Sequence, residues 1–199
     1  TVSLRRLFIS EFAGSGGSSY TLNDGTLTTG DATNVGRTHQ GTFTQTGGTF
    51  NSNGPVYIRN QQDVGAAGDP AATATYQITG GTLNVNSDHT VVGRGGQGHF
   101  IQDGNSTVNV RRLFLAEFGG SDGSTYTLMD GVLNSSLRIE VARSAAATFT
   151  QTGGTVNALN TSEGFSLLIG NGSNAGAYNL EGGTLNVAMM NKGANGQFN

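Results

Sequence analysis

The chain has 199 residues, including 33 Gly, 2 Pro and no Cys, and its formal net charge at pH 7 is -3. The lack of cysteine excludes a disulfide framework and cysteine-based zinc sites, and the acidic balance offers no basic surface for nucleic acid. Recurrent Val, Ile, Leu, Phe and Tyr argue against disorder, and no apolar run has the length of a membrane helix. We expect a folded chain with neither a nucleic-acid partner nor a membrane-inserted segment.

The chain begins with the stretch "TVSLRRLFISEFAGSGGSSYTLNDGTL" at residues 1–27, in which short alternating segments are separated by Gly, Ser and Asn-Asp-Gly clusters. Alternation over four to six residues between such clusters is typical of β-strands, and no segment sustains the 3.6-residue period of a helix. Nearly the same stretch, "TVNVRRLFLAEFGGSDGSTYTLMDGVL", recurs at residues 107–133. The chain is therefore predicted to consist of repeated short strands.

An aromatic residue opens each copy of the repeat, and successive copies are 20 to 33 residues apart. Tyr and Phe alternate strictly at this position. Two residues later the Tyr copies carry Leu or Ile, whereas three of the Phe copies carry Gln. The repeating unit is therefore a pair of coils, about 50 residues long. The predicted aromatic ladder consists of Tyr20, Phe43, Tyr76, Phe100, Tyr126, Phe149, Tyr178 and Phe198, and the three Gln residues are Gln45, Gln102 and Gln151.

A glycine pair and two further strands follow the aromatic strand in many copies, as in "TYQITGGTLNV" followed by "TVVGRG". Glycine suits a corner because it takes positive φ without steric cost, and because stacked coils leave little room for side chains where the chain turns. The predicted corner glycines are Gly47, Gly48, Gly80, Gly81, Gly153, Gly154, Gly182 and Gly183.

These features predict an all-β fold, a parallel β-helix or β-solenoid. We expect residues 1–199 to form a single array of about eight coils, each with three short strands, arranged as two-coil repeats. At about 4.8 Å per coil the rod would be on the order of 40 Å long. The segment from Asn60 to Ala74 is predicted to be a loop that protrudes from one corner. Neither end resembles a cap, so we expect a segment of a longer repeat protein or a unit that contacts copies of itself head to tail.

The parity of the strands predicts which side chains point inward. The aromatic residues share their face with Leu or Ile, so we expect an internal aromatic ladder. Outward rings forming a sugar-binding stripe are the alternative. Gln45, Gln102 and Gln151 occupy the same parity and would need buried hydrogen-bond partners, unless a local bulge turns them outward.

The units "YNLEGGTLNV", "YQITGGTLNV" and "FTQTGGTV", each followed by a strand such as "LLIGNG" or "VVGRGG", resemble autotransporter-associated β-strand repeats. They also resemble repeats of bacterial surface proteins that carry a PEP-CTERM sorting signal. The resemblance implies an exported bacterial β-solenoid with a surface, adhesive or matrix role, located outside the cell or on its surface.

Charged residues that recur with the repeat are candidates for catalysis, because equivalent positions of successive coils can build a cluster. A catalytic site is normally a unique constellation, so we expect solvated charges and Arg-carboxylate pairs instead. The three histidines, His39, His89 and His99, share no spacing that indicates a metal site, and we expect no cofactor. The recurring charges are Glu11, Glu117, Asp24, Asp130, Arg5, Arg6, Arg111 and Arg112.

The sequence favours a non-enzymatic structural segment of an extracellular bacterial fibre or surface layer, with copies of itself as partners. One alternative is the shaft or passenger domain of a cell-surface adhesin that binds glycans or other matrix components through its corner loops. A second alternative is a polysaccharide-degrading β-helix enzyme.

Overall fold

The computed structural model describes residues 1–12, 14–61, 71–87 and 89–199. The described residues contain no helix and form twenty strands. In chain order the strands are β1 (Val2–Leu4), β2 (Leu7–Ile9), β3 (Ser18–Leu22), β4 (Thr26–Thr29), β5 (Thr33–Val35), β6 (Gly41–Gln45), β7 (Thr49–Ser52), β8 (Val56–Asn60), β9 (Ala74–Val85), β10 (His89–Arg94), β11 (Gly98–Leu115), β12 (Ser124–Leu128), β13 (Val132–Val141), β14 (Ala147–Gln151), β15 (Thr155–Ala158), β16 (Leu167–Ile169), β17 (Gly176–Leu180), β18 (Thr184–Val187), β19 (Met190–Lys192) and β20 (Gly196–Phe198).

The strands stack in parallel into three sheets that follow one another around each coil. The aromatic sheet contains β3, β6, the start of β9, the start of β11, β12, β14, β17 and β20. The asparagine sheet contains β1, β4, β7, the end of β9, the middle of β11, the start of β13, β15 and β18. The arginine sheet contains β2, β5, β8, β10, the end of β11, the end of β13, β16 and β19. The predicted parallel β-solenoid is confirmed, with about seven turns where eight coils were expected.

The core runs along the axis between the three sheets. Each sheet contributes rows of inward side chains, because residues of one coil pair in register with their equivalents in the next coil. In the asparagine sheet, for example, Leu27, Phe50, Leu83, Val108 and Leu133 form a continuous row that is at most 1% exposed. A three- or four-residue strand cannot bury such a row alone, so the core exists only because coils stack on coils.

The glycine pairs lie at the corners between the aromatic and asparagine sheets. Gly48 and Gly154 have φ angles of 66° and 63°, in the left-handed region that favours glycine. A Cβ atom at either position would lie 2.6 Å from a backbone carbonyl oxygen of the preceding coil, that of Gly25 or Gly131. The corner therefore requires glycine both for its backbone conformation and for the close approach of the neighbouring coil.

The corner after the arginine sheet also uses left-handed backbone, but not only at glycine. Ser10, Arg59, Ala116 and Ala142 have φ angles between 54° and 64°. Glycine takes the equivalent position in other coils, for example Gly36, with a φ angle of 70°. A non-glycine residue in this region costs roughly 1–2 kcal/mol, so the packing of the stack holds these corners in place.

The loop predicted between Asn60 and Ala74 falls largely on residues 62–70, which lie outside the described residues. Among the residues that are described, there is no helical segment with the length and hydropathy needed to cross a bilayer.

Candidate functional site: internal ladders and an outer arginine cluster

The eight predicted aromatic residues form one stack along the aromatic sheet. The six rings from Phe43 to Tyr178 are fully buried, with centroids 4.6–4.9 Å apart and interplanar angles of 4–7°. The terminal contacts, Tyr20 with Phe43 and Tyr178 with Phe198, are more tilted, at 33° and 28°. The ring spacing matches the strand spacing of a parallel sheet, so the register of the backbone fixes the stack.

Gln45, Gln102 and Gln151 point into the core and are fully buried. Each accepts a hydrogen bond at Oε1 from the tyrosine hydroxyl of the following coil, at 2.6–2.7 Å. Each also donates from Nε2 to the backbone carbonyl of a residue in the following coil at 3.0–3.1 Å, namely Thr82, Val132 or Thr184. The alternation of Tyr-Leu and Phe-Gln coils therefore has a physical cause: a Gln in one coil needs a Tyr in the next.

Burial raises the pKa of the hydroxyls of Tyr76, Tyr126 and Tyr178 above their ordinary value. For Tyr126 the neighbouring tyrosines add to the effect of burial. These hydroxyls therefore stay protonated over the whole physiological pH range and remain hydrogen-bond donors to the glutamine oxygens.

A ladder of asparagine side chains runs along the outer surface of the asparagine sheet. In each step the Nδ2 group of one Asn donates to the Oδ1 atom of the Asn in the preceding coil, at 2.8–2.9 Å. This ladder was not predicted from the sequence, although the third residue of the second strand is Asn in six copies. Its members are Asn51, Asn84, Asn109, Asn134, Asn157 and Asn186.

Replacing Asn109 with Ala is expected to lower the free energy of unfolding by about 1–2 kcal/mol, because two half-buried hydrogen bonds are lost. The matched control is Asn105→Ala, at an exposed position with no side-chain hydrogen bond among the described residues. Urea denaturation of both variants provides the measurement. Equal losses for Asn105 and Asn109 would show that the ladder adds nothing to stability.

A cluster of charged and aromatic side chains covers the outer surface of the arginine sheet, and we call it the arginine cluster. Its members come from β10, β11 and β13, from the residues that follow these strands, and from the loop before β16. Cross-strand pairing places the side chains from neighbouring coils beside one another. The cluster consists of His89, Arg94, Arg112, Phe114, Glu117, Arg138, Glu140, Arg143 and Glu163.

Ion pairs connect the members of the cluster across coils. Arg112 binds both carboxylate oxygens of Glu163 through Nε, at 3.0 and 3.1 Å, although the two residues are 51 positions apart. Arg138 contacts Glu140 at 2.7 Å and Glu163 at 3.3 Å. These side chains are only 4–21% exposed, so the pairs are screened less than ordinary surface pairs.

Arg143 lies over the ring of Phe114, with the guanidinium carbon 3.9 Å from the ring centroid. Glu117 and Glu140 flank Arg143, but their nearest oxygens are 3.5 and 3.7 Å from the guanidinium nitrogens. Beside this stack is a cavity of about 230 Å³, which is lined by His89, Arg112, Phe114, Glu117, Arg138 and Arg143.

Glu140 is 3% exposed, and burial raises the pKa of its carboxyl group above the ordinary value of 4.5. Arg138 and Arg143 oppose this shift, whereas Glu163 and Glu117 add to it. Between pH 4.5 and the raised pKa, the folded chain holds a proton that the unfolded chain releases. Stability should therefore fall as pH rises through this interval.

The variant Glu140→Gln is expected to have a flatter dependence of stability on pH over that interval, because this proton is no longer exchanged. Urea midpoints measured from about pH 4 to pH 8 provide the test. Glu181→Gln is the control, since Glu181 is exposed and forms no ion pair among the described residues. An unchanged slope in Glu140→Gln would contradict the assignment.

The recurring charges singled out from the sequence lie in different places. Glu11 pairs with Arg37 and Arg6 with Asp31, while Asp24 and Asp130 accept hydrogen bonds from the backbone N–H of the next residue in their turns. Glu117 forms the expected Arg-carboxylate contacts, with Arg94 and Arg143, and its side chain is only 11% exposed. Arg112 enters the arginine cluster, whereas Arg5 and Arg111 are exposed.

The three histidines are half-buried, and each contacts a different partner. His39 contacts Thr38, His99 contacts Thr125, and His89 contacts Tyr57, at 2.8–3.2 Å. Burial lowers the pKa of His99. Within the described ranges, no group of three or more His, Asp or Glu side chains is positioned to hold a metal ion.

Comparisons of the chain with protein-family models, characterised proteins and solved structures find no match. The resemblance to bacterial surface repeats therefore stays a prediction.

Proposed function

We propose that the chain is a non-enzymatic structural segment of an extracellular bacterial fibre or surface layer. Its role is to form a stable rod of stacked coils. The observation that carries the proposal is the continuity of the internal aromatic ladder, which passes through coil after coil in unbroken register. An arrangement that repeats along an axis suits a filament better than it suits a single catalytic centre.

The ladders distribute stabilisation along the rod. Stacked rings, Gln-Tyr hydrogen bonds and asparagine amides each connect one coil to the next. In such a one-dimensional array, stability is the sum of contributions from each coil and from each interface between neighbours. Adding coils therefore lengthens the rod without requiring a new kind of contact.

Further coils or another copy of the chain are the proposed partners. Each inner interface between coils is formed by rows of equivalent side chains, such as Leu27, Phe50 and Leu83, which pair in register from coil to coil. An equivalent coil, in the same chain or in a second copy, would continue such rows.

Immunogold labelling of intact cells with antibodies raised against the segment tests the proposed location. We expect gold particles on the cell surface or on shed fibres, while an antibody against a cytoplasmic protein gives no label on unbroken cells. Label that appears only after the cells are opened would contradict an extracellular role.

A further inference from the structure

A cavity lies beside Arg143 on the outer surface of the arginine sheet. Three guanidinium groups and one imidazole line it, together with a single carboxylate, that of Glu117. We propose that this cavity binds carboxylate groups of an acidic polysaccharide. The ligand would be a linear polymer that lies along the outside of the rod.

Arg143 is the group that would bind the carboxylate. Among the described residues, none of its guanidinium N–H groups donates a hydrogen bond, and its nearest carboxylate oxygens are 3.5 and 3.7 Å away. Its side chain is 31% exposed. A guanidinium edge with free donors matches the planar geometry of a carboxylate and can bind it through two parallel hydrogen bonds.

The neighbouring acids do not satisfy Arg143 because they bind other arginines more closely. Glu140 contacts Arg138 at 2.7 Å, and Glu163 binds Arg112 and Arg138. Stacking on Phe114 holds the Arg143 guanidinium in one orientation. Binding therefore requires little additional ordering of the side chain.

An exposed aromatic ring extends the site beyond the cavity. Phe118 is 37% exposed, and the Arg94 guanidinium lies 5.4 Å from the centre of its ring. Its apolar surface beside a cationic cavity suits the C–H face of a sugar ring whose carboxylate binds Arg143. A free inorganic anion would make no use of this ring, so the arrangement favours an acidic sugar.

Part of this constellation occurs a second time on the rod, which favours a polymeric ligand. Phe8, Glu11, Phe12 and Arg37 lie 106 positions before Phe114, Glu117, Phe118 and Arg143, respectively. Arg37 pairs with Glu11 and lies 5.7 Å from the ring centre of Phe8. The two constellations are four coils apart, roughly 19 Å at about 4.8 Å per coil. A linear polymer can contact both, and its affinity then exceeds that of either site alone.

Isothermal titration calorimetry with polygalacturonate, neutral amylose and dextran sulfate tests the proposal on the whole chain. We expect binding of polygalacturonate that weakens with added salt, and no binding of amylose. Arg143→Gln should weaken the affinity roughly tenfold or more, because a charge-assisted bidentate contact is lost. Arg143→Lys should be intermediate, because it keeps the charge but loses the planar pair of donors.

The matched control is Arg111→Gln, at an exposed arginine that lines neither the cavity nor the Phe8–Arg37 constellation. This control should bind polygalacturonate like the unmodified chain, and far-UV circular dichroism should show the same fold in every variant. Absence of polygalacturonate binding by the unmodified chain would overturn the proposal. Equal losses in Arg111→Gln and Arg143→Gln would overturn the site, and binding of dextran sulfate alone would overturn the carboxylate ligand.

Discussion

Replacing Phe100 with Ala is expected to lower the free energy of unfolding by about 3–5 kcal/mol. Phe100 is fully buried and stacks on Tyr76 and Tyr126 at 4.9 and 4.6 Å. The change removes two ring contacts and leaves a cavity in the middle of the ladder, where the paired strands limit how far the coils can move to fill it. Urea denaturation followed by circular dichroism measures the loss.

The same substitution at Phe12 provides the control, because this ring is 75% exposed. Phe12→Ala should change the free energy of unfolding by no more than about 0.5 kcal/mol. Similar small effects at Phe12 and Phe100 would mean that the ladder does not hold the coils together.

The hydrogen bond between Tyr126 and Gln102 is expected to show strong coupling in a double-mutant cycle. Tyr126→Phe leaves the buried Gln102 oxygen without its donor, and Gln102→Leu leaves the Tyr126 hydroxyl without its acceptor. Each change should cost about 1–3 kcal/mol. The double variant should lose less than the sum of the two single losses, by about 0.5–3 kcal/mol. It contains neither the glutamine amide nor the tyrosine hydroxyl, so no buried polar atom of the pair is left without a partner.

Tyr20→Phe is the matched control for this cycle. Tyr20 is half-buried, and its hydroxyl makes no hydrogen bond within the described part of the chain. Its loss should therefore stay within about 0.5 kcal/mol. Strictly additive effects of Tyr126→Phe and Gln102→Leu would show that the alternation of Tyr and Phe coils has another cause.

The fold could be predicted because its signals are local and repeated. Strand alternation, glycine pairs and the copies at residues 1–27 and 107–133 together indicate a parallel β-solenoid, as observed. The number of turns depends on where each coil closes. The long strands β9, β11 and β13 bend through corners and join two or three sheets, so strand ends alone do not mark the coils.

The internal contacts could be predicted only in part. The alternation of side chains along each strand placed the glutamines on the same face as the aromatic rings. Their hydrogen-bond partners, however, depend on the register between strands of successive coils, which the sequence of a single strand does not show. Once Tyr126 is known to pair in register with Phe100, the hydroxyl falls within reach of Gln102. The asparagine ladder did leave a signal, an Asn at a fixed position of the second strand, but the chain is rich in Asn elsewhere.

Of these features, the arginine cluster was the one that could be predicted least from the sequence. Arg112 and Glu163 are 51 residues apart and meet because a loop returns to the same outer surface two coils later. Glu140 occupies an outward position of its strand and is nevertheless buried, because neighbouring arginines and Phe114 cover it. Contacts of this kind arise because coils stack on one another, so no local sequence pattern predicts them.

Electron cryo-microscopy of the native extracellular material is the most direct test of the proposal that this chain forms part of a structural rod. We expect filaments with an axial repeat of about 4.8 Å, the spacing of strands stacked coil on coil, and with the coil axis along the filament. Material composed of discrete globular particles without this repeat would contradict the structural role.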